Sequence, residues 1–193
     1  ASYTPEQIEA MLAKWERDKH VVSIGGYYTL KGISHHYLGD FLSASEALEQ
    51  ARPYLRGLSD NILNRLWYVF RYVNDLRLQP SISTTERQVL NECVDKVESW
   101  ATLGPILKPY FLFMKMEKAY QQNDFSNCRR YCLDAIDLAT TQQFILLEGY
   151  LQERLGQLFI ENQHDQASYY LQQAAKAYRR CSAAVKFKQL QEK

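Results

Sequence analysis

The side chains of this 193-residue chain best suited to nucleophilic, redox or metal chemistry are four cysteines and four histidines. Cys128 and Cys132 stand four residues apart and would share one helix face, as half a metal site or a redox pair does, since the thiolate is both ligand and nucleophile. With no Cys-x-x-Cys pair, the plainer reading of Cys93, Cys128, Cys132 and Cys181 is small, reduced, mostly buried thiols in a cytoplasmic protein. His36 precedes Asp40 by four residues beside His35, a two-ligand arrangement with no third ligand at helical spacing, so a surface or groove histidine is expected. Asp95 and Glu98 stand about one turn apart, which on a helix describes a solvated face. Gly25-Gly26 lies between Ile24 and Tyr27-Tyr28 and reads as a helix break or a point of close packing rather than a ligand loop. No Gly-x-x-x-x-Gly-Lys-Ser/Thr loop, Gly-x-Gly-x-x-Gly, His-Glu-x-x-His or Gly-x-Ser-x-Gly occurs. Phosphate cradles, zinc hydrolysis and serine acyl transfer therefore lack their usual sequence support, and no catalytic residue, cofactor or metal is expected.

The elements that hold these residues follow from periodicity. Apolar residues recur every three or four positions and no stretch keeps strand alternation, so the chain is all-α. The 8 glycines and 5 prolines fall well below average usage and allow few turns. Thr4-Pro5-Glu6-Gln7 is a capping box with proline at the first helical position, opening a helix whose apolar face is Ile8, Met11, Leu12 and Trp15. Helices follow at about 21 to 38 and about 41 to 56, separated by Gly39-Asp40. The next spans about 61 to 78, capped by Ser59-Asp60, and another about 85 to 102, opened by the box Ser83-Thr84-Thr85-Glu86. Pro105 or Pro109 begins one that runs to about 121. The last four span about 125 to 140, 143 to 161 and 164 to 181, with a short one from about 183.

Links of about 2 to 6 residues make neighbouring helices antiparallel. Gly39-Asp40-Phe41-x-x-Ala44, Asn123-Asp124-Phe125-x-x-Cys128 and Asn162-Gln163-His164-x-x-Ala167 recur with a helix-pair period of about 40 residues, somewhat longer than the tetratricopeptide unit. Gly32 and the Ala44 or Ala167 position would let paired helices approach closely. The expected architecture is an α-α superhelix, a TPR-like solenoid of about four to five antiparallel helix pairs. It forms a single helical-repeat domain over 1–193, and the opening Ala-Ser-Tyr-Thr-Pro reads as part of something longer.

The 23 Lys+Arg balance 22 Asp+Glu, so no electrostatic footprint for nucleic acid exists, and no apolar run reaches membrane-spanning length. Aromatic residues, at 13%, exceed what the motifs explain. Most suit helix junctions. If the turns set the register, His36, Tyr68, Arg71, Tyr110, Phe113 and Tyr120 lie on first helices facing a concave surface, either as a peptide or protein groove or as plain core packing.

The run Glu148-Gly149-Tyr150-Leu151-Gln152-Glu153-Arg154-Leu155-Gly156, with Ala167-Ser168-Tyr169-Tyr170-Leu171-Gln172-Gln173-Ala174, Ala177-Tyr178-Arg179-Arg180 and Ala184 to Glu192, resembles the closing repeats of a tetratricopeptide-like helical region in large bacterial multidomain signalling proteins. There the region lies between an AAA/STAND-type ATPase and downstream GAF, PAS or histidine-kinase domains, often with a Ser/Thr kinase at the amino end. Where that family commonly has Trp-Gly, this chain has Cys181-Ser182. The resemblance implies a non-catalytic interaction or regulatory module within a bacterial signalling protein, an ATPase or kinase or a transcriptional regulator. Its partner would be a protein or peptide segment, or a neighbouring ATPase or kinase domain of the same chain, with the last helix, carrying Lys186, Lys188, Gln189 and Glu192, as the connection. The other reading is a small-molecule sensor with a ligand in the concave groove. Exposed solenoid ends could also support a homo-oligomer.

Overall fold

A computed structural model describes residues 3–78 and 84–192. All ten α-helices among them lie where apolar periodicity places helices, and no strand occurs among these residues. The chain divides into two compact units, Ala1–Leu78 and Gln79–Lys193.

Unit 1 contains α1 (Pro5–Arg17), α2 (Val21–Leu38), α3 (Phe41–Ala51), a 3-10 helix (Arg52–Leu58) and α4 (Ile62–Leu78). The Thr4 capping box forms in full: Thr4 Oγ1 accepts from the Gln7 amide and the Gln7 side chain accepts from the Thr4 amide. The helix expected over 41 to 56 stops at Ala51. Pro53 has no N–H for the Glu49 carbonyl, so the chain tightens into the 3-10 helix, where the Arg52 amide bonds that carbonyl. The Leu48 carbonyl, orphaned by this ending, accepts from the Trp67 indole at 2.8 Å. The cap of α4 is also corrected: the Asn61 side chain, not Ser59-Asp60, accepts from the Leu63 amide.

Unit 2 contains α5 (Thr84–Leu103), α6 (Lys108–Gln121), α7 (Phe125–Thr141), α8 (Ile145–Glu161), α9 (Ala167–Arg180) and α10 (Ala184–Gln191). Ser83, the cap of the box expected at Ser83 to Glu86, lies outside the described residues. Pro109, rather than Pro105, occupies the first turn of α6. In α5, Leu90, Cys93, Val97 and Ala101 are buried, one helical face, while Asp95 and Glu98 are exposed as expected. The helix α8 is the centre of the unit: every residue from Leu147 to Glu153 is buried. It packs on α7 and α9.

Among the described residues six helix ends share one turn. Lys19, Gly39, Asn123, Gln143, Gln163 and Ser182 adopt left-handed φ between 53° and 83°, about 20 residues apart within each run. In each, the next residue's amide returns to the carbonyl five positions back, as in Asp40 to His35, Asp124 to Ala119 and Ala183 to Tyr178. In five of the six that same residue caps the following helix, so two residues reverse the chain; after His164 the helix expected from 164 starts only at Ala167. Close packing inside the pairs has the expected cause. A Cβ on Gly32 would meet Leu48 Cγ at 2.7 Å and the Ala44 carbonyl oxygen at 3.1 Å. A Cβ on Gly156 would meet Leu171 at 2.7 Å and the Ala167 carbonyl oxygen at 3.3 Å. Gly25 is likewise a packing point, against Tyr54 and Leu58.

Candidate functional site

In unit 1, His36 on α2 is fully buried, so it is a core side chain and not a groove residue. Its Nδ1 lies 3.2 Å from Asn74 Oδ1 on α4, and Phe41 and Phe70 stand 5.3 Å from its ring. Asn74 in turn donates to the Phe41 carbonyl at 2.9 Å. The paper pair of His36 with Asp40 is overturned. The left-handed turn at Gly39 carries Asp40 back over His35, whose Nδ1 lies 3.2 Å from Asp40 Oδ2. Asp40 also caps α3, and hydrogen bonds from the Ser43 side chain and then its amide hold the Asp40 carboxyl below the usual carboxylate range. Tyr68 and Arg71 lie one turn apart on α4. Tyr68 is half-buried with its ring on edge against Trp67. Arg71, with only 15% of its side chain exposed, is clamped between Glu49 and Asp75.

In unit 2, Phe113 is fully buried, its ring 5.7 Å from Tyr150, and it too is core rather than groove. Tyr110 is half-buried against Phe144, and burial pushes its phenol up to about 12. Tyr120 donates to Glu161 Oε1 at 3.2 Å and carries the Arg154 guanidinium 4.9 Å from its ring centre. Arg154 also bonds Glu117 at 3.3 Å and Gln157 at 2.8 Å. Burial works against its charge, but Glu117, with Tyr150 and Tyr120 behind it, overcomes that and holds its pKa above the ordinary value. The six groove candidates are thus divided three to each unit. His36 and Phe113 are sealed, and Arg71 and Tyr120 are engaged by neighbours of their own unit.

Periodicity did not single out the charged core of unit 2. Glu153 on α8 accepts from Tyr178 on α9 at 2.6 Å and from Lys186 on α10 at 2.7 Å. The Lys186 ammonium also lies 5.8 Å and 5.5 Å from the Tyr150 and Tyr178 ring centres. Nearby on α8, Glu148 pairs with Arg180 at 3.6 Å and with the Gln152 amide at 3.5 Å. One sequence signal does point here: Glu117 and Arg154 are opposite charges inside apolar helices, 37 residues apart, close to the helix-pair period.

The cysteines behave as small buried groups. Cys128 and Cys132 are both buried and neither is in a disulfide, burial raises the Cys132 thiol pKa, and its Sγ donates to the Leu151 carbonyl. Among the described residues no group of three or more His, Cys, Asp or Glu is placed to hold a metal, and no helix is long and apolar enough to cross a membrane.

One open surface among the described residues lies on α2. Tyr27, Leu30, Lys31, Ser34, His35 and Leu38 line a cleft of about 340 Å³, with Leu30 51% and Leu38 38% exposed. Their spacing places them along one helical stripe. A smaller cleft of about 150 Å³ lies between the α6–α7 turn and the end of α8, with Tyr120, Asp124, Cys128 and Glu161 in its wall.

The class this fold defines is all-α, built of helices packed on their sequence neighbours. No protein-family model matches the chain, and no curated protein matches it either.

Proposed function

We propose that the chain is a non-catalytic helical-repeat module, a TPR-like α-α superhelix, that binds a protein segment or a neighbouring ATPase or kinase domain of its parent chain in a bacterial signalling protein. The observation that carries this reading is the α2 stripe, an apolar helix face open to solvent on a first helix of a pair. Large side chains at i, i+3 and i+11, Tyr27, Leu30 and Leu38, with Lys31, Ser34 and His35 between them suit an extended or helical polypeptide. A cleft walled by one helix leaves most of a small ligand exposed, which favours the polypeptide over the small-molecule reading. Occupancy acts by shifting the population of helix-pair arrangements, not by chemistry.

The test is titration of the chain with the adjoining domains of its parent protein, read by amide exchange. Binding protects Tyr27 to Leu38, and the Leu30→Glu/Leu38→Glu variant, altered only at exposed positions, binds at least about tenfold more weakly, a loss of about 1.4 kcal/mol. Equal binding by the variant, or stoichiometric binding of ATP by this chain, overturns the reading.

A further inference from the structure

The anchoring of α10 is unusual for a helix: its only buried residue is a lysine. Val185 is 61% exposed and the Lys188 side chain 78% exposed. Phe187 is half-buried beneath the Arg179 guanidinium, 4.4 Å away. An eight-residue helix has no independent stability in water, so its docking decides whether it exists. Its most deeply buried contact is the Lys186 ammonium, held by Glu153 Oε2 and flanked by the faces of Tyr150 and Tyr178. The cradle itself belongs to α8 and α9. Tyr178 donates to the same Glu153 oxygen, a bond made between α9 and α8 alone. A carboxylate between two aromatic faces recognises an ammonium by charge, by hydrogen bonding and by cation–π attraction together.

We propose that Glu153, Tyr150 and Tyr178 form a binding site for a primary alkylammonium, the head of a lysine side chain, and that α10 is its intramolecular occupant, a latch that must leave before a second lysine enters. The site stands apart from the α2 stripe and does not depend on it. Because the one buried group of the latch is a charge, a competing cation of the right shape opens it, whereas general salt screening acts weakly on a buried pair.

The experiment uses the whole chain and ethylammonium chloride as the probe, against equal concentrations of sodium chloride, with amide exchange of α8, α9 and α10 as the readout. At ten times its Kd for the cradle, ethylammonium raises the open population of α10 about elevenfold. The result expected is that exchange over Ala184 to Gln191 speeds by that order while α8 and α9 stay protected. Equal effects of the two salts, or exchange of α10 only together with α8 and α9, overturn the proposal. A second arm uses Lys186→Ala, in which ethylammonium fills the vacated place and raises the thermal midpoint above that in sodium chloride. The Lys186→Ala/Glu153→Gln pair shows no such difference, and an equal rise there overturns the proposal. If Lys186→Ala does not fold, the wild-type exchange arm alone decides.

Discussion

Unit 1 ties α2 to α4 with an imidazole–amide pair, His36 and Asn74, and unit 2 ties α6 to α8 with an ion pair, Glu117 and Arg154. The separations are almost the same, 38 and 37 residues. Each pair sits among aromatic rings, Phe41 and Phe70 in one case and Tyr120 in the other. The difference teaches that a link between alternate helices recurs at nearly one separation while its chemistry varies and its place along the helix shifts, His36 standing three residues before the Gly39 turn and Glu117 six before the Asn123 turn. A directional polar contact next to apolar packing sets how one helix registers on another, and either an amide or a guanidinium supplies it. The two solutions differ in how they fail. Losing half of an amide pair leaves one hydrogen-bonding group unmet, whereas losing half of a buried ion pair leaves a charge.

The largest expected effect therefore comes from Glu117→Ala, which strands Arg154 and destabilises unit 2 by about 3–5 kcal/mol in urea unfolding followed by Trp100 fluorescence. Glu117→Leu combined with Arg154→Leu loses much less, and a double variant as unstable as the single would show that packing, not charge, holds α6 on α8. Asn74→Ala comes next, at about 1–3 kcal/mol, because the Phe41 carbonyl and the His36 ring each lose a hydrogen-bond partner. Trp67 fluorescence reports that change, and adding His36→Phe should return part of the loss.

The turns sharpen the same comparison at smaller scale. Gly39 in unit 1 and Gln143 in unit 2 occupy the same left-handed place, at φ 83° and 60°. Gly39→Ala lowers stability and Gln143→Gly raises it, each by up to about 1 kcal/mol, since a Cβ is disfavoured at positive φ. Thermal midpoints that move in the same direction for both would contradict the shared geometry.

The smallest effect is a pH dependence common to both units. Asp40 and Asp124 cap α3 and α7, and both carboxyls are held below their ordinary pKa, Asp124 by the Asn127 side chain and then its amide. A folded pKa below the unfolded one gives stability that is present above the unfolded value and lost as pH falls through the folded value. Asp124→Asn keeps the cap and removes the titration, so its midpoint falls less than wild type on acidification and matches it near neutrality. An identical acid slope in the variant would place the sensitivity elsewhere.

Much of the helical layout was legible in the residues. The Thr4 box, the Gly39-Asp40 and Asn123-Asp124 turns and the Gly32 and Ala44 contact are local or one helix apart, so composition and spacing carry them. The end of α3 was legible too, in Pro53, though periodicity ran past it. The candidate site was read less well. His36 and Phe113 sit on first helices as expected, yet rotation about the helix axis by a single residue separates a groove from a core, and both turn inward. Lys186, read as part of an outward connection, points inward for the same reason.

What the sequence determined by itself is the all-α class and the approximate helix boundaries, because capping, turn chemistry and a 3.6-residue apolar period act over a few neighbouring residues. Only the tertiary structure decided that α8 is enclosed on every side from Leu147 to Glu153, that Glu117 meets Arg154, and that a lysine anchors α10. Those facts depend on which helix lies across from which. A charged side chain enters a core only where a partner from another helix waits for it, and that partner is invisible along the chain.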